Sequence, residues 1–105
     1  MKATVVQDKK KLLLLTKANK RQITSLGVKK LGLFGSFVRN EQKKDSDVDL
    51  LVEFDPKKKN FDNFMNLAFL FEELFHRKVE VVTSESLSPY LKPYILKEVE
   101  YVDLS

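Results

Sequence analysis

Leu33-Phe34-Gly35-Ser36-Phe37-Val38-Arg39 is followed, after ten residues beyond Ser36, by Asp47-Val48-Asp49-Leu50-Leu51-Val52. The run Lys30 to Phe34 is short and apolar, which predicts a buried strand, and Gly35-Ser36 ends it. Phe37 to Glu41 is expected to turn into a helix. A glycine just ahead of a helix start aims backbone N–H groups at an anion. From Ser46 to Phe54 the pattern alternates: Asp47, Asp49 and Leu51 fall on one face, and Val48, Leu50, Val52 and Phe54 on the other. This predicts a second strand with one acidic end.

Outward from this centre, Asp55 to Asn60 reads as a solvated loop in which Pro56 ends the strand. Phe61 to about Arg77 carries Phe64, Leu67, Ala68, Phe71, Leu74 and Phe75 at the spacing of a helical core face, with Asp62, Asn66, Glu73 and Arg77 on the wet side. At about 100° per residue, Phe69 falls in the middle of that wet face with Met65 beside it. An aromatic there suits a partner surface better than solvent. Lys78 to Thr83 predicts a third strand with Val79 and Val81 on one face and Glu80 and Val82 on the other. Pro93 fits the first turn of a last helix running to about Glu100, with Tyr94, Leu96, Lys97 and Tyr101 available for packing and surface. On the other side, Lys9 to Leu26 carries Leu12, Leu15, Ile23 and Leu26 on one stripe. It predicts one helix, or two broken near Ala18 and Asn19, stopped by Gly27.

The chain of 105 residues has room for one domain with one modest core. Its 43% hydrophobic and 32% charged content is that of a globular protein. A net charge of +4 suits an anionic partner such as a nucleotide, and equally an ordinary basic surface. With no cysteine and one histidine, thiolate metal sites, disulfides, cysteine nucleophiles and multi-histidine zinc sites are excluded. No apolar run approaches the roughly 18 residues needed to span a bilayer, and Met1-Lys2-Ala3-Thr4 lacks an apolar leader. A cytoplasmic protein is expected.

Two aspartates two positions apart on a strand project from one face, their backbones roughly 7 Å apart. An Asp-x-Asp by itself is a common surface feature, but two carboxylates beside the apolar run Leu50-Leu51-Val52 repel each other without a cation. Magnesium takes hard oxygen ligands, usually one or two carboxylates together with phosphate oxygens. A two-ion arrangement calls for a third carboxylate, and Glu80 in the neighbouring strand is the best candidate. Gly35 and Ser36 would then meet the phosphates of a nucleoside triphosphate, and Arg39, one turn on, would neutralise charge.

These residues carry a family resemblance. Leu33 to Arg39 followed by Asp45-Ser46-Asp47-Val48-Asp49-Leu50-Leu51-Val52 resembles the signature of the minimal nucleotidyltransferases of the DNA polymerase beta superfamily, and Leu87 to Leu96 is similar to their C-terminal segment. The likeness spans roughly Gly27 to Val102. It implies an α/β (α+β) fold, a small mixed sheet flanked by helices. It also implies one or two Mg2+ ions, ATP as substrate, and transfer of a nucleoside monophosphate to a hydroxyl. Small members are often antitoxins of HEPN-domain ribonuclease toxins, which they silence by adding AMP to a tyrosine. Carried over by position, Gly35 and Ser36 hold phosphate and Asp47, Asp49 and Glu80 hold metal. Two positions depart from the pattern. Asn40 stands where glycine is usual, and asparagine tolerates a left-handed backbone. Glu80 stands where aspartate is common and reaches one methylene further, which matters for an ion with strict geometry.

The expected function is thus a magnesium-dependent protein adenylyltransferase acting as antitoxin of a HEPN toxin. The alternative is a non-catalytic module of the same fold that neutralises its partner by contact, and an aminoglycoside-modifying type of activity would ordinarily need a longer chain. Residues 1–27 form the helical N-terminal part of a single domain and residues 28–105 its catalytic core. Direct nucleic-acid binding is not expected, and homo-oligomers are compatible with the sequence. His76 is read as a helix-end residue, Lys43 and Lys44 as loop lysines able to meet phosphate, and Tyr90, Tyr94 and Tyr101 as packing residues by default.

Overall fold

Asp8 starts the first helix: its carboxylate accepts the Lys11 N–H at 2.8 Å, relieving one of the unpaired donors of the first turn. Helix α1 (Lys9–Ala18) stops at Asn19, whose side chain donates back to the Leu15 carbonyl at 2.8 Å. Helix α2 (Lys20–Ser25) follows at once, so the stripe is split where the sequence predicts. Gly27 then adopts φ +94°, a left-handed stop that releases the chain into strand β1 (Val28–Phe34). These elements belong to a computed structural model that describes residues 5–105. The segment Met1 to Thr4, on which the expectation of no apolar leader rests, lies outside the described residues.

Strand β2 (Val48–Phe54) runs antiparallel to β1, with Leu33 opposite Leu50 and Phe34 opposite Asp49. A short helix, α3 (Ser36–Arg39), sits between β1 and β2. Helix α4 (Phe61–Phe75), capped by the Asn60 side chain on the Asn63 N–H at 2.8 Å, carries the chain back so that β3 (Val79–Thr83) pairs parallel to β2. Helix α5 (Lys92–Glu98) follows β3 after a single 3-10 turn at Ser84–Ser86. This last helix ends two residues before the expected Glu100. Glu100–Val102 instead form a fourth strand, β4, antiparallel to β1 with Tyr101 opposite Gly32. The sheet order is β3-β2-β1-β4. Three residues with one apolar side chain buried are too short a pattern to signal a strand. Pairing against the free edge of β1 creates it.

The core lies between one sheet face and the helices. Val48, Leu50, Val52 and Phe54 of β2, Leu31 and Leu33 of β1, Leu12 of α1, Ile23 of α2 and Leu67, Phe71 and Phe75 of α4 are all buried in one cluster. Phe71 and Phe75, one helical turn apart, stack with ring centroids 5.7 Å apart. The opposite sheet face carries Asp49, Leu51 and Glu53 of β2 in register with Glu80 and Val82 of β3, and it lies on the side of the C-terminal segment: a side chain at Gly32 would meet Val99 at 2.4 Å. Phe69 on the outer side of α4 is 58% exposed, as its position on the helical wheel predicts. No helix among the described residues is long and apolar enough to cross a membrane.

Candidate active site

The acidic face is built by strand register. Asp49 lies opposite Phe34, the last residue of β1, and opposite Glu80 of β3, so the turn after β1 and the carboxylates of two strands share one corner of the sheet. Asp47 precedes the first residue of β2 and is half-buried, while Glu80 is exposed.

Asp49 is held protonated up to about pH 6. Half-burial is the main cause, followed by the charge of Glu80, a hydrogen bond that the two carboxyl groups can share, and the charge of Asp47, with Arg39 acting in the opposite sense. A strand position crowded by negative charge and short of water resists its own ionisation. Among the described residues, no three acidic or histidine side chains are gathered as they stand into a group that could hold a metal ion.

Gly35 is in contact with this carboxylate. Its backbone at φ +82° and ψ −153° lies in a region essentially reserved for glycine, and a Cβ there would meet Asp49 Oδ2 at 2.1 Å. The turn therefore closes onto Asp49 because residue 35 has no side chain. At the other end of α3, Asn40 takes the left-handed conformation (φ 58°, ψ 36°), so the replacement of the usual glycine preserves the turn.

The Gly35 N–H does not point into free space. It donates to Glu98 Oε2 at 2.9 Å, and Arg39 Nη1 donates to Glu98 Oε1 at 2.6 Å. Arg39 Nε also reaches Glu41 at 3.2 Å. Burial would raise the Glu98 pKa, but the Gly35 amide and Arg39 outweigh it and hold the group below the usual carboxylate range. Gly35 thus contributes room for Asp49, while its amide is committed to α5. Glu98 escaped the sequence reading because nothing in the spacing of the last helix points 63 residues back to Gly35.

Arg77 departs from its expected place on the wet face. Its guanidinium lies 5.1 Å from the Phe37 ring and donates to the carbonyls of Val6, Lys43, Lys44 and Ser46, the last three at 3.1, 3.1 and 3.0 Å. It ties down the loop that delivers Asp47. The only sequence signal is its position just past the helix end, next to His76, which adopts φ 51° as the left-handed cap and donates its N–H to the Glu72 carbonyl. Lys43 and Lys44 are exposed and, with Gln42 and Arg77, line an open hollow of about 440 Å³. Tyr90 and Tyr94 are 85% and 74% exposed, so neither packs into the core, whereas the Tyr101 ring lies over Gly32 with Lys30 Nζ 5.6 Å from its centroid and keeps the packing role expected of it.

Residues 14–102 match the family model described as nucleotidyltransferase domain. The chain is 38% identical over 89 residues to the protein adenylyltransferase MntA of Thermococcus cleftensis, covering 85% of this chain and 89% of that one. A provisionally named protein adenylyltransferase of Methanocaldococcus jannaschii is 46% identical over 72 residues, 69% of this chain and 76% of that one. Among solved structures, one provisionally named minimal nucleotidyltransferase superposes with a TM-score of 0.70 at 28% identity, over 90% of this chain and 95% of the other. A toxin-antitoxin complex with AMP-PNP shares the fold at a TM-score of 0.61 and 21% identity, over 79% and 71% of the two chains. The Gly-Ser turn closed onto an acidic strand, the four-stranded mixed sheet and these relatives together place the chain in the nucleotidyltransferase domain family, within its minimal branch.

Proposed function

We propose that this protein transfers AMP from ATP to a tyrosine hydroxyl of a HEPN-domain toxin and thereby acts as its antitoxin. The observation that carries the proposal is the corner at Asp49, which lies opposite Glu80 in the parallel register and has the Gly35 turn closed directly against it. Relatives named protein adenylyltransferase, and a fold shared with a toxin-antitoxin complex holding AMP-PNP, point in the same direction. The reading takes the chain as one domain, residues 28–105 as the catalytic core behind a helical part at residues 1–27, working in the cytoplasm.

In donor type the site fits magnesium, because Asp47, Asp49 and Glu80 supply hard oxygens and crowd negative charge around Asp49, and the three side chains must draw together to share one ion. Asp47, Asp49 and Glu80 would hold it, and its chemistry is to neutralise phosphate charge and lower the pKa of the attacking hydroxyl. The Ser36 hydroxyl contacts the phosphates and Arg39 offsets their charge, its guanidinium close enough to Asp49 to affect that group's ionisation. The acceptor tyrosine comes from the partner, whose surface would complete the site of so small a domain. The tyrosine oxygen attacks the α phosphorus in line, losing its proton to solvent as the bond to the departing pyrophosphate breaks, so no protein nucleophile is needed and positioning and electrostatics carry the rate.

The test is transfer of label from α-labelled ATP to the co-expressed toxin. The wild type should label a tyrosine of the partner in a magnesium-dependent way, and Asp47→Asn with Asp49→Asn should abolish it. Neutralisation of the toxin that survives the double substitution with no labelling in the wild type would favour the contact-only module. That second reading draws on the ungathered state of the three carboxylates.

A further inference from the structure

We infer that Glu98 is the positioning residue of the nucleotide site, a carboxylate supplied by the C-terminal helix that sets the Gly35-Ser36 turn and Arg39 at their working distance from Asp49. The inference rests on the nucleotide-binding reading above. The two oxygens of one carboxylate take the two groups in question: Oε2 accepts the Gly35 N–H at 2.9 Å and Oε1 accepts Arg39 Nη1 at 2.6 Å. Few arrangements fix a backbone and a side chain at once with so little freedom, since charge-assisted bonds are short and directional.

The placement of α5 says what the contact is for. The helix buries none of its residues, so it contributes little to the core. The Glu98 side chain, at 22% exposure, is nonetheless drawn in against α3. Gly35 sits in a backbone region that is strained for other residues and flexible for glycine, and its N–H precedes the first turn of a four-residue helix too short to hold itself. Without Glu98 nothing among the described bonds restrains that N–H. The turn would relax away from Asp49, which it now meets with no room for a Cβ, and Arg39 would keep only its exposed contact to Glu41. One carboxylate therefore couples the phosphate side of the site to its acidic side.

Calorimetric titration of the full chain with ATP and magnesium tests this, with thermal melts run alongside. Glu98→Ala should weaken binding by about tenfold, the scale expected when a supporting contact is lost and groups shift by a fraction of an ångström. Glu98→Gln keeps an acceptor for Gly35 and loses the charge opposite Arg39, so it should recover part of the affinity, about threefold below wild type. It also carries the test if the alanine variant fails to fold. A role confined to structure would lower the melting temperature without this graded recovery in affinity. Tighter binding by Glu98→Ala would overturn the inference by identifying Glu98 as an internal competitor for the phosphates, and unchanged binding would make it a bystander. Absence of ATP binding in the wild type is a separate result: it fails the nucleotide-binding reading itself, and this inference with it.

Discussion

Asp49→Asn should make the metal-free protein more stable. The folded chain holds the Asp49 proton up to about pH 6, against an ordinary aspartate value of 3.8. Between those two values the unfolded chain has released a proton that the folded chain keeps, so stability falls as pH rises through this window. Below it both states are protonated and no penalty exists; above it both are ionised and the penalty is complete. A rise of about two pH units corresponds to about 3 kcal/mol at ~1.4 kcal/mol per unit. Asp49 is only half-buried, so solvent screening reduces the expected cost to about 1–2 kcal/mol. Asparagine removes the charge, keeps the shape and can donate to Glu80. Urea unfolding followed by circular dichroism in EDTA at pH 7.5 should move the midpoint up by about 1 M. The gap between variant and wild type should close near pH 4, and should also close on adding magnesium, which favours only the wild type. A variant that is less stable than wild type at pH 7.5, or an advantage that persists unchanged at pH 4, would refute the electrostatic account of this corner.

Arg77→Ala should destabilise the fold by about 2–4 kcal/mol, since four carbonyls lose a charged donor; a scanning melt should register a drop of about 10–20 °C. Gly35→Ala combines a Gly-only backbone with a clash at Asp49, so a loss of about 1–3 kcal/mol in urea unfolding should accompany a loss of magnesium-dependent ATP binding. Phe69→Asp should leave the melting temperature within about 2 °C, as expected of an exposed site, while weakening association with a partner in co-purification; intact complex formation would count against that surface.

The strands and helices that carry strong periodicity are legible in the order of residues alone. The buried stripe of α4 and the exposure of Phe69 follow from spacing, because the helical period sorts side chains locally, whereas the choice between one N-terminal helix and two split at Asn19 does not. The Gly35-Ser36 turn and the two aspartates are legible as local features, a strand end without a side chain and an acidic strand start, because both lie within about a dozen residues of each other. Strand β4 is not, since three residues acquire strand character only from the edge they join.

The sequence by itself determined the parts of the site: an acidic strand, a turn without a side chain at its hinge, and an asparagine able to hold the left-handed end of α3. Only the tertiary structure decided how those parts are held. Glu80 becomes the neighbour of Asp49 through the parallel register of β2 and β3, which a helical crossover brings about and no local pattern encodes. Arg77 and Glu98 act on residues more than thirty and sixty positions away, through bonds to backbone groups that carry no side-chain signature. Local spacing fixes the direction in which a side chain leaves its own element, whereas its partner is fixed by the packing of all the others.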